Sequence, residues 1–146
     1  MRKYKNIIIV LILFFMGTVC VLASSALQLA GTEDRNNDGK ADRWIYVWPN
    51  GGLIIKSDNN FNGVIDYVLE IDERGNKIYE EYDFNHDGKM DTFYFYANGV
   101  LQRKEIDSNF DGEVDIWIFL EEGVYVVRIE RDTDFDGKVD FVKRYK

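Results

Sequence analysis

At 146 residues the chain holds about one domain, and its 26 acidic against 18 basic side chains give a formal net charge of −8. That balance argues against nucleic acid and anionic lipid as partners and in favour of cations. An aromatic content of 15% argues against a disordered acidic tail, because such segments lack apolar surface to bury.

The chain opens with Arg2, Lys3 and Lys5, then an apolar run from Ile7 to Ala23, then the small residues Ser24, Ser25 and Ala26. This order predicts a secretory signal peptide over residues 1–23, cut after Ala23. An uncleaved membrane anchor is the other reading, at the short limit for a span. A lipidated Cys20 fits less well, since Val19 stands where a small residue is expected. All 26 acids lie beyond residue 23 and three of the bases lie before it, so residues 24–146 carry 15 bases and a net charge of −11. That segment holds no cysteine, and no disulfide can staple it. It is expected to be exported to the periplasm, the cell surface or the medium.

Next comes "SALQLAG", an extra predicted strand, and then the first of five related acidic stretches. These are DRNNDGKAD from Asp34, DNNFNGVID from Asp58, DFNHDGKMD from Asp83, DSNFDGEVD from Asp107 and DTDFDGKVD from Asp132. Their starts are 24, 25, 24 and 25 residues apart. Such a period is the mark of a repeat architecture. Positions 1, 3, 5 and 9 are always Asp or Asn, and position 6 is always Gly. Midway between the stretches stand Gly51, Gly75, Gly99 and Gly123, so a glycine turn falls about every 12 residues. That spacing of turns between apolar runs predicts an all-β chain.

Each unit therefore reads as acidic loop, strand, glycine turn, strand. The strands after the loops are RWIYVW, YVLEI, TFYFYA, IWIFL and FVKRY, rich in aromatic and β-branched residues. The strands before the next loops are LIIKS, KIYEEY, LQRKEI and VYVVRIE, which alternate and predict one wet and one dry face. Short connections predict antiparallel pairing of neighbours, an antiparallel meander of about ten strands built from five hairpin units. An open sheet, a solenoid and a closed barrel all remain compatible with this pattern. The cations of the last strand suit an exposed edge.

The loops offer oxygen at alternating positions, as a hard cation requires. The candidate ligands are Asp34, Asn36, Asp38, the Lys40 carbonyl and Asp42 in loop one, and Asp58, Asn60, Asn62, the Val64 carbonyl and Asp66 in loop two. Loop three offers Asp83, Asn85, Asp87, Lys89 and Asp91, and loop four Asp107, Asn109, Asp111, Glu113 and Asp115. Loop five offers Asp132, Asp134, Asp136, Lys138 and Asp140. In each case the position-7 residue lends its carbonyl. The openings match the EF-hand loop, but position 12 carries Ile45, Leu69, Tyr94, Ile118 and Lys143 in place of its bidentate Glu.

The pattern Dx[DN]x[DN]GxxD between two strands resembles the calcium loops of integrin α-subunit propeller blades and of FG-GAP- and VCBS-like bacterial surface repeats. The resemblance covers five nine-residue loops and implies that the position-9 acid is a direct ligand. The hairpins between loops resemble, loosely, the short two-stranded repeats of MORN and YD type. Calcium is thus the expected ion, about five per chain, while magnesium suits these loops less because it demands tight octahedral geometry. The alternative is metal-free Asx turns, in which Asp and Asn bond their own backbone.

No enzyme is expected. His86, the only histidine, sits at loop position 4, where the other copies carry Asn37, Phe61, Phe110 and Phe135. It reads as an exposed side chain pointing away from the ion. Trp44, Trp48 and Trp117 are expected to pack in a core, or alternatively to bind a glycan or a protein partner from an open face. The expected role is therefore structural or interactive, with a calcium-dependent carbohydrate- or protein-binding module as the alternative.

Overall fold

The computed structural model describes residues 26–146, so the signal segment expected over residues 1–23 lies outside the described residues. Ten strands run in chain order: β1 (Gln28–Glu33), β2 (Arg43–Val47), β3 (Leu53–Ser57), β4 (Tyr67–Ile71), β5 (Lys77–Tyr82), β6 (Thr92–Ala97), β7 (Val100–Ile106), β8 (Ile116–Glu121), β9 (Tyr125–Arg131) and β10 (Phe141–Arg144). They form one antiparallel sheet in sequence order, an open meander with β1 and β10 at its edges. The open sheet is thus selected over the solenoid and the barrel.

Two kinds of turn join the hairpins at the edge away from the acidic loops. Between β2 and β3, and between β4 and β5, Gly51 and Gly75 take positive φ after a turn closed by Gly51 N–H to Trp48 O and Gly75 N–H to Asp72 O. Between β6 and β7, and between β8 and β9, the pairs Asn98-Gly99 and Glu122-Gly123 both have positive φ. That is the primed turn whose twist matches the flanking strands.

The expectation of one wet and one dry face is not met. Among the described residues only Ile54 and Val68 are buried apolar side chains, and most of the sheet's large side chains are half-exposed. The reason is that the described residues form a single layer, with nothing packed on either side. Alternation along β3, β5, β7 and β9 sorts side chains between two faces, yet both faces meet water. Trp44 and Trp117 are half-buried and Trp48 is exposed, so none belongs to an enclosed core.

Cross-strand pairs hold the layer together instead. On one face, aromatic residues of β6 and β8 lie beside cations of β7 and β9. The Arg103 guanidinium sits 4.2 Å from the Phe95 ring centre and that of Arg128 sits 3.8 Å from Phe119. Arg103 Nε and Glu105 Oε1 approach to 2.8 Å, and Arg128 Nε and Glu130 Oε1 to 3.2 Å. Neither N–H points at its carboxylate, so these are ionic contacts without a directed hydrogen bond. On the opposite face, Glu80 is buried and accepts from the Tyr67 hydroxyl at 2.7 Å, from Lys77 Nζ at 2.8 Å and from the Tyr96 hydroxyl. The largest influence on Glu80 is burial, which raises its pKa. The hydrogen bonds from Lys77, Tyr96 and Tyr67 outweigh it and hold the carboxyl below its ordinary range.

Candidate metal centres

Because the meander returns every second strand, all five acidic loops stand in a row on one edge of the sheet, at the β1–β2, β3–β4, β5–β6, β7–β8 and β9–β10 connections. The row is what most of the buried polar surface consists of. Asp42, Asp58, Asp66, Asp83, Asp91, Asp107, Asp115 and Asp132 are all buried, the position-1 and position-9 acids of successive loops. Neighbouring loops are bonded through backbone. Asp58 N–H donates to Asp42 O at 2.8 Å, Asp83 to Asp66 at 3.0 Å, Asp107 to Asp91 at 2.8 Å and Asp132 to Asp115 at 2.8 Å.

Inside each loop the acids organise the chain. In loop three, Asp83 Oδ1 accepts from Asp87 N–H at 3.2 Å and Oδ2 from Gly88 N–H at 2.8 Å. Asn85 Oδ1 accepts from Asp87 N–H at 2.9 Å, and Asp87 Oδ1 from Lys89 N–H at 2.9 Å. Loop one repeats this with Asp34, Asn36 and Asp38, and loop two with Asp58, Asn60 and Asn62. The two glycine-like positions are 4 and 6. Gly88 has φ 93° and His86 φ 60°, and Asn37, Phe61, Phe110 and Phe135 share the left-handed conformation at position 4. Sequence reasoning missed this strain, although Asn37 at that position was a signal for it.

Position 9 behaves differently from positions 1, 3 and 5. Asp42 Oδ2 accepts from Arg35 N–H at 2.7 Å and Asn36 N–H at 3.2 Å. Asp91 and Asp115 do the same with the amides of positions 2 and 3 in their loops. Asp66 uses both oxygens, on Asn59 and Asn60. Asp140 binds Thr133 through N–H at 3.1 Å and through the hydroxyl at 2.7 Å. The position-9 acid thus ties the start of its loop to its end. Position 2 therefore takes part in closing the loop, which the sequence pattern did not flag; the Asn59, Ser108 and Thr133 side chains, which also donate to the position-9 acid, were its signal.

Convergence of carboxylates distinguishes loop five. Among the described residues, Asp132, Asp134 and Asp136 form the one group of three acids that each bring one oxygen within 4.8 Å of the others. That spacing fits ligands standing 2.3–2.6 Å from a common calcium ion. Asp140 is outside the group. The crowding shows in the protonation. Asp134 is pushed up, first by burial, then by the charge of Asp136 and its bond with Asp132. Asp132 is affected first by burial, which raises it, but the backbone N–H groups of Gly137, Asp136 and Phe135 prevail and hold it low. Asp87 in loop three is lowered, chiefly by the Lys89 N–H. Loops one, three and four bring their position-3 amide beside the position-5 acid rather than gathering three acids, with Asn36 Nδ2, Asn85 Nδ2 and Asn109 Nδ2 donating to Asp38, Asp87 and Asp111.

Side chains also cross between loops. His86 accepts at Nδ1 from Asn60 Nδ2 at 2.8 Å, and the same nitrogen lies 4.0 Å from Asp66. The histidine is exposed, as expected, but it leans on the preceding loop rather than standing free. Arg35 Nη1 donates to Asn59 at 2.9 Å and stands over Phe61. A recess of about 90 Å³ lies between loops one and two, lined by Asp38, Lys40, Asp42, Asp58, Asn62 and others.

No family model matches the chain, and no curated protein matches it. Among solved structures, a chain of the crystal structure of accessory secretory protein 1,2 and 3 in Streptococcus pneumoniae aligns with TM-score 0.46 and 14% identity. The alignment covers 81% of this chain and 22% of that one, so this chain spans about a fifth of the length it is compared with. A likeness at that level carries no functional argument.

Proposed function

We propose that the protein is a calcium-binding β-sheet protein with a structural or interaction role, stabilised by ions held in its five edge loops. The observation that carries this reading is the row of eight buried aspartates along one edge, against two buried apolar side chains in the whole described sheet. Acids at that density repel one another unless cations neutralise them. Five calcium ions would bring residues 24–146 from −11 to about −1, a balance set by the ion's charge. Asp132, Asp134 and Asp136 supply the convergent oxygens in loop five. In the other loops the acids at positions 1 and 5, the position-3 amide oxygen and the position-7 carbonyl are the ligands, with the position-9 acid locking the loop. The export expected from the N-terminal segment agrees with this reading, since extracellular modules work with dissociation constants of about 10⁻⁴–10⁻³ M.

The test is a calcium titration by calorimetry together with thermal melts in calcium and in EDTA. Saturable binding near five ions per chain and a melt lowered by EDTA are expected. A melt indifferent to EDTA, with no heat of calcium binding, would reject the proposal in favour of metal-free Asx turns.

One observation favours the alternative of a calcium-dependent carbohydrate-binding module. Trp48, 40% exposed, lines an open cleft of about 410 Å³ with Pro49, Asn50, Asp72, Glu73 and Ile78. An indole face beside carboxylates and an amide is a surface on which a sugar can stack and hydrogen-bond. Glycan-array binding that disappears in Trp48→Ala would establish it.

A further inference from the structure

We propose that copies of this chain associate end to end, the free edge of β10 in one copy pairing with the free edge of β1 in the next. This goes beyond calcium binding and names the partner as a second copy. The basis is that the two edges are complementary halves of a contact the sheet already makes four times.

In that contact, the position-1 amide of one loop donates to the position-9 carbonyl of the loop before it, as Asp58 does to Asp42. At the ends of the row, the Asp34 N–H has no loop before it and the Asp140 carbonyl has none after it among the described residues. Burial records the same gap. Asp58, Asp83, Asp107 and Asp132 are buried at position 1, whereas Asp34 is exposed; Asp42, Asp66, Asp91 and Asp115 are buried at position 9, whereas Asp140 is exposed.

Strand type matches too. β10 follows a loop, as β2, β4, β6 and β8 do, and each of those pairs on its far side with a strand that precedes a loop. β1 is such a strand. The internal register pairs the first residue after position 9 with the last residue before position 1, as in Arg43 with Ser57 and Ile116 with Arg131. Carried over, it sets Phe141 against Glu33 of the next copy, Val142 against Thr32 and Lys143 against Gly31. Tyr145 N–H bonds Val127 of β9, so by the alternation of an antiparallel ladder Lys143 also faces β9 and Val142 turns its N–H and C=O outward. Val142 and Thr32 would then exchange two backbone hydrogen bonds.

Charge selects this pairing over the alternatives. β10 ends in Lys143 and Arg144, and β1 ends in Glu33 beside Asp34. Two β10 edges would oppose cations and two β1 edges would oppose acids. Only the unlike pairing brings Lys143 diagonally across from Glu33, within reach of a long side chain. Phe141, Val142 and Leu29, exposed in one copy, would gain cover. A head-to-tail contact of this kind leaves both outer ends open, so it adds copy after copy without closing.

Sedimentation velocity on the purified protein tests it, in calcium and in EDTA, at protein concentrations up to millimolar. The sedimentation coefficient is expected to climb past that of a dimer as concentration rises, in the calcium arm at least, because loop five and the next copy's loop one are both acidic. Thr32→Pro and Val142→Pro each remove one outward N–H from an edge, a placement the fold tolerates. Each variant alone should remain monomeric, with an unchanged circular dichroism spectrum. Their equimolar mixture should form a dimer and nothing larger, since each supplies one intact edge. A wild-type protein that stays monomeric throughout, or that stops at a dimer, overturns the proposal whether or not the variants fold. Growth unaffected by either proline overturns it as well.

Discussion

The backbone N–H of Asp58 donates to the carbonyl of Asp42 at 2.8 Å, so the last acid of one loop and the first acid of the next share a peptide hydrogen bond. Both side chains are buried. An ion drawn to either loop therefore orders backbone that belongs to both. Loss of calcium should consequently be felt across the row as one event. Calorimetric melts in EDTA are expected to show a single transition at a lower temperature than in calcium. If free calcium exceeds the dissociation constant tenfold, each site contributes about 1.4 kcal/mol, or about 7 kcal/mol over five. That is the size of a small domain's whole stability.

Loop charge should rank the sites. Loop five carries three acids at positions 1, 3 and 5, and loop two carries one. Asn62→Asp is expected to strengthen calcium binding, and Asp134→Asn to weaken it, each by roughly tenfold, as ligand charge does in other calcium loops. Isothermal titration resolves this. Equal affinities in wild type and both variants would show that neither loop two nor loop five holds the ion.

Phe135 takes φ 60° at loop position 4 and is exposed. A bulky residue in left-handed backbone is strained by about 1–2 kcal/mol, and Asn tolerates it far better. Phe135→Asn should therefore raise the midpoint of urea unfolding, gaining roughly 1 kcal/mol. An unchanged or lower midpoint would mean that the ring makes up the difference through contacts with neighbours.

The cluster around Glu80 gives a pH dependence of definite sign. Its pKa is held below the ordinary 4.5, so it stabilises the fold above that pH and loses the effect as pH falls. Tyr67 and Tyr96 are raised above the ordinary 10.0, first by burial and then by Glu80, so their contribution is present below pH 10 and lost above it. Glu80→Gln should cost roughly 1–3 kcal/mol at neutral pH, the usual effect of disturbing a buried polar group. It should also flatten the acid limb of a stability–pH curve measured by urea unfolding.

Much of the fold was legible because two glycine series punctuate it. Gly39, Gly63, Gly88, Gly112 and Gly137 all have positive φ, as do Gly51, Gly75, Gly99 and Gly123, and strands fill the gaps between them. What sequence could not supply was the number of layers. Alternation in KIYEEY or VYVVRIE sorts side chains between two faces, but nothing in it says whether either face is covered. The roles inside the loops were half legible. Asp and Asn at positions 1, 3 and 5 announce side-chain oxygens that turn towards the loop's own amides, while the work of position 9 on the amides of positions 2 and 3 depends on backbone geometry. The contact of His86 with Asn60 is 26 residues away in sequence and arises only because the loops stand side by side.

The row of loops has one more property. Strands lie about 4.8 Å apart, so loops at every second connection stand about 10 Å apart, and 15 acids fall along a line of about 40 Å. That is roughly one negative charge per 3 Å, within a factor of two of duplex DNA. Along such a line, mobile counterions crowd into a sheath whatever each loop's own affinity. The edge of this sheet is therefore a polyelectrolyte built on a folded scaffold, and salt concentration, as well as calcium, should govern how it meets other charged matter.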